Sequence, residues 1–160
     1  MTPTVDERLA SIVRSLTEVI LPHLPPEATL AQEQVQLSIG HLQILRAQLD
    51  AVPAFEREEL ADAVAIAKAL TAGVSGGATT SAAIRDLSAA AQGADGSDVR
   101  GQTSVINKAV DALVRAVSAD GAEGAKAALS ALILAHEAAR VEKDRRWFLP
   151  FGFDTMEPAA

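Results

Sequence analysis

A serine set among glycines is the first candidate for chemistry. Gly73-Val74-Ser75-Gly76-Gly77 fits the G-x-S-x-G pattern of a nucleophile elbow, and Asp95 or Asp98 followed by His136 supplies the chain order of a hydrolase triad. Such an elbow needs a strand feeding Ser75 and a helix leaving it, inside a parallel sheet. No β-branched, alternating run of strand length occurs in the chain, so a hydrolase using Ser75 ranks third among the functions considered. The stretch reads instead as an interhelical loop. A different use would be anion binding by the free amides of the helix that follows, although the lysine of a phosphate-binding loop is missing.

The three histidines, His23, His41 and His136, stand apart, with no H-E-x-x-H and no pair of E-x-x-H elements, so neither a metal nor a cofactor is expected. His136 shares a stripe with Leu129, Leu132 and Ile133, and Arg140 follows one turn later. That placement suits a ligand contact, and equally a half-buried histidine bonded to a carbonyl or carboxylate. Arg140, Lys143, Arg145 and Arg146 run up to Trp147; Arg140 and Arg146 could hold a phosphate or carboxylate while the indole stacks on a flat group. The same cations also suit the negative end of a helix dipole, and Glu142 and Asp144 interleave with them. The acidic residues of the chain mostly lie opposite its apolar stripes and read as solvated faces.

Trp147, Phe148, Phe151 and Phe153 hold four of the five aromatic rings, the fifth being Phe55, and Pro150 and Gly152 interrupt them. So much apolar area cannot sit in water as a plain tail. We expect Trp147 to be substantially buried, and the segment 147–160 to form a non-helical extension of a bundle spanning 1–146. It would dock on its own bundle or on a partner.

These residues must be positioned by helices. Alanine, the strongest helix former, fills about a fifth of the 160 residues, tyrosine is absent, and 22% of the chain is charged. The expected fold is all-α: one domain, a bundle of five or six helices with the aromatic extension. A net charge of −7 argues against nucleic acid, whose phosphates need a basic surface. No apolar run approaches the roughly 18 residues of a membrane span, the N-terminus lacks the basic-then-apolar pattern of an export signal, and cysteine is absent. No membrane partner is expected, and the expected location is the cytoplasm.

Thr4 and Glu7 form a capping-box pattern opening a helix that Pro22 closes near Leu21. A second helix, about 28–50, carries Val35, Ile39, Leu42 and Leu49 on one side and Leu30, Leu37 and Ile44 nearly opposite. Both faces ask for cover, since each such side chain left in water forgoes about 1.5–3 kcal/mol. Helices at about 53–73 and 80–92, one ending near Asp120, and one at about 122–146 complete the set.

The ends of the first two helices, Val19-Ile20-Leu21-Pro22-His23-Leu24 and Leu42-Gln43-Ile44-Leu45 with Leu49-Asp50, resemble a family of uncharacterised bacterial all-helical domains. Its members are often encoded beside acyl-CoA dehydrogenases and aminoglycoside-phosphotransferase-like kinases. The likeness covers the first third of the chain and carries over no catalytic residue. It implies an accessory role near acyl-CoA metabolism. Two functions follow from the residues. One is a protein-interaction or accessory module, a homodimer or a binder of another protein, using Leu30, Leu37, Ile44, Trp147, Phe148, Phe151 and Phe153. The other is a pocket between helices for a small anionic ligand, contacted by His136, Arg140, Arg146 and Trp147.

Overall fold

The structure, a computed structural model, describes residues 2–148, and the positions of Pro150, Phe151, Gly152 and Phe153 therefore lie outside the described residues. It is all-α, as expected, with six α-helices among the described residues: α1 (Val5–Arg14), α2 (Thr29–Gln48), α3 (Val52–Gly73), α4 (Ala78–Gln92), α5 (Val99–Asp120) and α6 (Ala125–Phe148). Two compact units divide the chain, one up to Pro53 and one from Ala54 onward.

The first unit is a helical hairpin. The expected capping box opens α1: Thr4 Oγ1 accepts from Glu7 N–H at 3.2 Å, and the Thr4 N–H donates back to Glu7 Oε2 at 2.7 Å. After Arg14 the helix widens into a π-helical turn, Ser15–Ile20, and then tightens into a 3-10 turn, Leu21–His23. Pro22 explains the disturbance, having no N–H for the carbonyl four residues back and a ring that crowds it. The chain therefore stays helical two residues past the expected stop at Leu21. The His23 ring closes that end by taking the Val19 carbonyl at 2.6 Å from Nδ1.

Arg46, in the last turn of α2, grips Asp6, in the first turn of α1, with Nε on Oδ1 at 2.8 Å and Nη2 on Oδ2 at 3.0 Å. Start meets end, so the two helices run antiparallel. The Arg46 bond holds the Asp6 carboxyl below its ordinary range. Two helices have few ways to cover each other. On the α1 side of α2, Val35, Ile39 and Leu42 are half-buried; on the other side Ile44 is buried, but Leu30 and Leu37 are 68% and 48% exposed. The expectation of cover on both faces of α2 is therefore met at Ile44 and not met within the chain at Leu30 and Leu37.

In the second unit, Leu70, Leu87, Ile106, Leu113 and Val117 are fully buried and form a core shared by α3, α4 and α5, to which α6 adds Leu129. Alanines do much of the packing, Ala63, Ala67, Ala83, Ala91 and Ala116 among them, and let the helices approach closely. The loop after α3 is stitched to the loop after α5. Gly77 N–H donates to the Asp120 carbonyl at 2.8 Å and Ala122 N–H to the Ser75 carbonyl at 3.0 Å. A side chain on Gly77 would have its Cβ 2.6 Å from Asp120 Oδ2, so only glycine fits there.

Candidate functional site

Ser75 lies in this stitched loop, between two helices; its surroundings are an isolated bridge between Gly76 and Gly121 and no strand among the described residues. The elbow geometry is absent. The amides that open α4 are occupied by the protein itself: Thr79 N–H and Thr80 N–H donate to Asp120 Oδ2 and Oδ1 at 2.8 and 2.9 Å, and Thr80 Oγ–H adds a bond of 2.6 Å to Oδ1. An internal carboxylate therefore fills the place that the anion-binding reading assigned to a phosphate. The Thr80 hydroxyl first, then the two amides, hold the Asp120 carboxyl below its ordinary range.

The ionic residues of the second unit meet along α3. Glu56, Glu59 and Asp62 are three residues apart, a spacing that puts them along one side of the helix. Arg100 from α5 binds Glu56, its Nε 2.6 Å from Oε1. Lys143 from α6 binds Asp62 at 2.5 Å and Glu59 beside it, and Arg140 reaches Glu59 at 3.7 Å. The acids of α3 are thus a docking strip for α5 and α6, not the solvated face expected from their place opposite apolar residues. Burial alone would lower the Lys143 pKa, but the bonds to Asp62 and Glu59 outweigh it and raise the group above its ordinary range.

One turn on, the Trp147 indole stacks on Phe55, ring centroids 4.4 Å apart and planes inclined by 29°, and Lys143 Nζ lies 5.2 Å from the Phe55 centroid. Trp147 and Phe148 are helical, so α6 runs two residues beyond the expected boundary at Arg146. Trp147 is half-buried, whereas Phe148 is 42% exposed. Since Trp147 is the chain's single tryptophan, its fluorescence reports this clasp. Phe55→Ala should shift the emission to longer wavelength and lower stability by about 1–3 kcal/mol, from lost stacking and lost area. An unmoved spectrum would contradict the stacked geometry.

His136 and Arg140 come together in the wall of a cavity of about 320 Å³ whose floor is Ile66, Val110, Val114 and Ile133. Asn107 and Asp111 separate it from a neighbouring groove of about 410 Å³ that begins at Glu56 and Arg100. Arg146 is not in this wall; its Nε donates to the Glu142 carbonyl at 3.3 Å, as suits a cation at a helix end. Trp147 is likewise elsewhere, on Phe55. Of the four residues proposed for an anionic ligand, the structure unites two. Arg140 already lies between Glu59 and Glu137, at 3.7 and 3.9 Å. No group of three or more His, Asp or Glu side chains among the described residues could hold a metal ion. Nor is any described helix long and apolar enough to cross a membrane.

On the first unit two of the three candidate residues, Leu30 and Leu37, lie at the surface, and Ile44 is covered. Leu30, Leu37 and Ile44 recur every seven residues, so they share the outer face of α2, and all but Ile44 are exposed. From Gln34 to Leu45 no residue of α2 carries a formal charge. Comparison of the chain with protein-family models, curated proteins and solved structures finds no match.

Proposed function

We propose that the protein is an interaction or accessory module of the cytoplasm that binds another polypeptide through the outer face of α2. The exposure of Leu30 and Leu37 on a two-helix hairpin carries this reading, with Leu37 near one edge of a stretch, Gln34 to Leu45, that holds no formal charge, because charge depletion around apolar anchors marks the centre of protein interfaces. The ionic strip and the Phe55–Trp147 stack serve a different end: they fix α6 on α3. The immobilised full-length chain should retain a bound polypeptide, whether a copy of itself or another protein. Leu30→Glu with Leu37→Glu should abolish that retention while helical content stays unchanged. Equal retention by both forms, or none by either, would overturn the reading.

A second reading is favoured by the cavity that joins His136 and Arg140 over an apolar floor. It would take a small ligand with an apolar body and an anionic head, of the acyl type that the family resemblance implies. Its carboxylates, Asp111 and Glu137, oppose such a head, which places this reading behind the first. Calorimetric titration with a short-chain fatty acid should then show binding that Arg140→Gln weakens by roughly tenfold. No heat with either form would remove it.

A further inference from the structure

We infer that the Asp95-Gly96 bond is the chain's site of spontaneous isoaspartate formation, and that the Gln102 side chain restrains this modification by engaging both of its reacting groups. Neither half depends on the polypeptide that α2 binds.

Aspartate followed by glycine suits this chemistry best, because glycine has no side chain to crowd its own amide nitrogen. The Gly96 nitrogen attacks Asp95 Cγ as its proton passes to water; a C–N bond forms, and a Cγ–O bond breaks with that oxygen leaving as water. The cyclic imide then takes up one water. Opening at the former main-chain carbonyl gives isoaspartate, with the chain running through Cβ and no net change in mass. Water is the only co-reactant.

Two Asp-Gly bonds occur in the 160 residues, Asp95-Gly96 and Asp120-Gly121. The second is held by main chain and core: Asp120 accepts from the Thr79 and Thr80 amides and the buried Thr80 hydroxyl, and Gly121 N–H donates to the Val117 carbonyl at 3.0 Å. The first lies exposed in the loop between α4 and α5, where one side chain holds both reactants. Gln102 Oε1 accepts from Gly96 N–H at 2.9 Å, and Gln102 Nε2 donates to Asp95 Oδ1 at 2.6 Å. The nucleophile's proton is thus committed to an acceptor, and the carboxylate cannot turn without giving up a bond. Ser97 N–H adds a bond of 2.9 Å to the same oxygen. The Ser97 side chain and amide, and then Gln102, hold the Asp95 carboxyl down to about 2, which leaves little of the neutral acid that can lose water. Gly96 itself is explained by its φ of +79°, in the left-handed region that favours glycine. The turn requires the residue that makes Asp95 vulnerable, and Gln102 supplies the restraint.

Ageing the full chain for several weeks at neutral pH and physiological temperature, followed by trypsin and reversed-phase chromatography, tests this. Cleavage after Arg85, Arg100, Arg115 and Lys126 puts the two Asp-Gly bonds in separate peptides, 86–100 and 116–126, and each isoaspartyl form elutes apart from its parent at equal mass. The isolated peptide 86–100 is the unrestrained reference. The folded wild type should isomerise at Asp95 roughly tenfold or more below that peptide's rate, yet ahead of Asp120, and Gln102→Ala should recover most of the difference. Asp120 separates a restraint from a merely structural role, since a general loosening of the fold would raise both sites together. Should Gln102→Ala lose helical content, Gln102→Glu carries the same comparison: it removes the donor to Asp95, and it should raise isomerisation there alone. A wild type that ages at the peptide's rate, or faster at Asp120 than at Asp95, overturns the inference. So does a variant of native helical content that ages as slowly as the wild type, or one whose rise at Asp120 equals that at Asp95.

Discussion

Leu113→Ala should lower the unfolding free energy by about 2–5 kcal/mol, the range for emptying a fully enclosed leucine site. Leu113 has no exposed surface, and it lies in α5, which packs more closely on α4 than on any other helix. Its core mixes leucines with short residues: Ala116 and Ala83 belong to it, and alanine has no rotamer with which to refill a void. Partial collapse is therefore difficult. Urea titration would measure the change as a lower midpoint with an unaltered slope. A loss below about 1 kcal/mol would mean that the alanine-lined core yields freely, contrary to the close packing described above.

Asp120 should give the second large effect, and one that depends on pH. Its carboxylate ties the last turn of α5 to the first turn of α4, accepting from two backbone amides and from the Thr80 hydroxyl, which is fully buried. Asp120→Ala strands those donors. Thr80→Val, which keeps the shape but removes the hydroxyl, should cost about 1–3 kcal/mol, and Asp120→Ala should lower stability as well. The folded carboxyl titrates below its ordinary value of 3.8. Its contribution is therefore complete above the unfolded pKa and fades as the pH falls through the lower, folded one. The stability gap between wild type and Asp120→Ala should be constant near neutrality and should narrow below about pH 4. A gap unchanged down to pH 2 would show that the charge on Asp120 does not contribute.

The sequence disclosed what depends on neighbours along the chain. The Thr4 and Glu7 capping box, the Pro53 start and Gly73 stop of α3, and the loop around Ser75 all rest on contacts a few residues apart. What it hid depends on residues far apart. Asp120 caps α4 from forty residues away, and no cap motif precedes Ala78 to announce it. The stack of Phe55 on Trp147 joins the start of α3 to the end of α6. A signal for that pairing existed: Glu56, Glu59 and Asp62 repeat every third residue, as Arg140 and Lys143 do, and matched spacings of opposite charge let one helix lie along another. Reading those acids as solvated missed it. On α2 the two apolar stripes were plain in the sequence. Whether both would be covered was not, because a hairpin of two helices has no third element for Leu30 and Leu37.

The chain contains no cysteine, so Leu37→Cys would place a single thiol on the outer face of α2, and Leu134→Cys a single thiol on α6 as control. Attaching a short photoreactive maleimide to each, and irradiating it with the polypeptide that the full-length chain retains, tests most directly whether that face is the one that binds. A covalent adduct formed through Leu37→Cys, with Leu134→Cys giving none, is the predicted result. Absence of a Leu37→Cys adduct, or equal adducts from both variants, would contradict it.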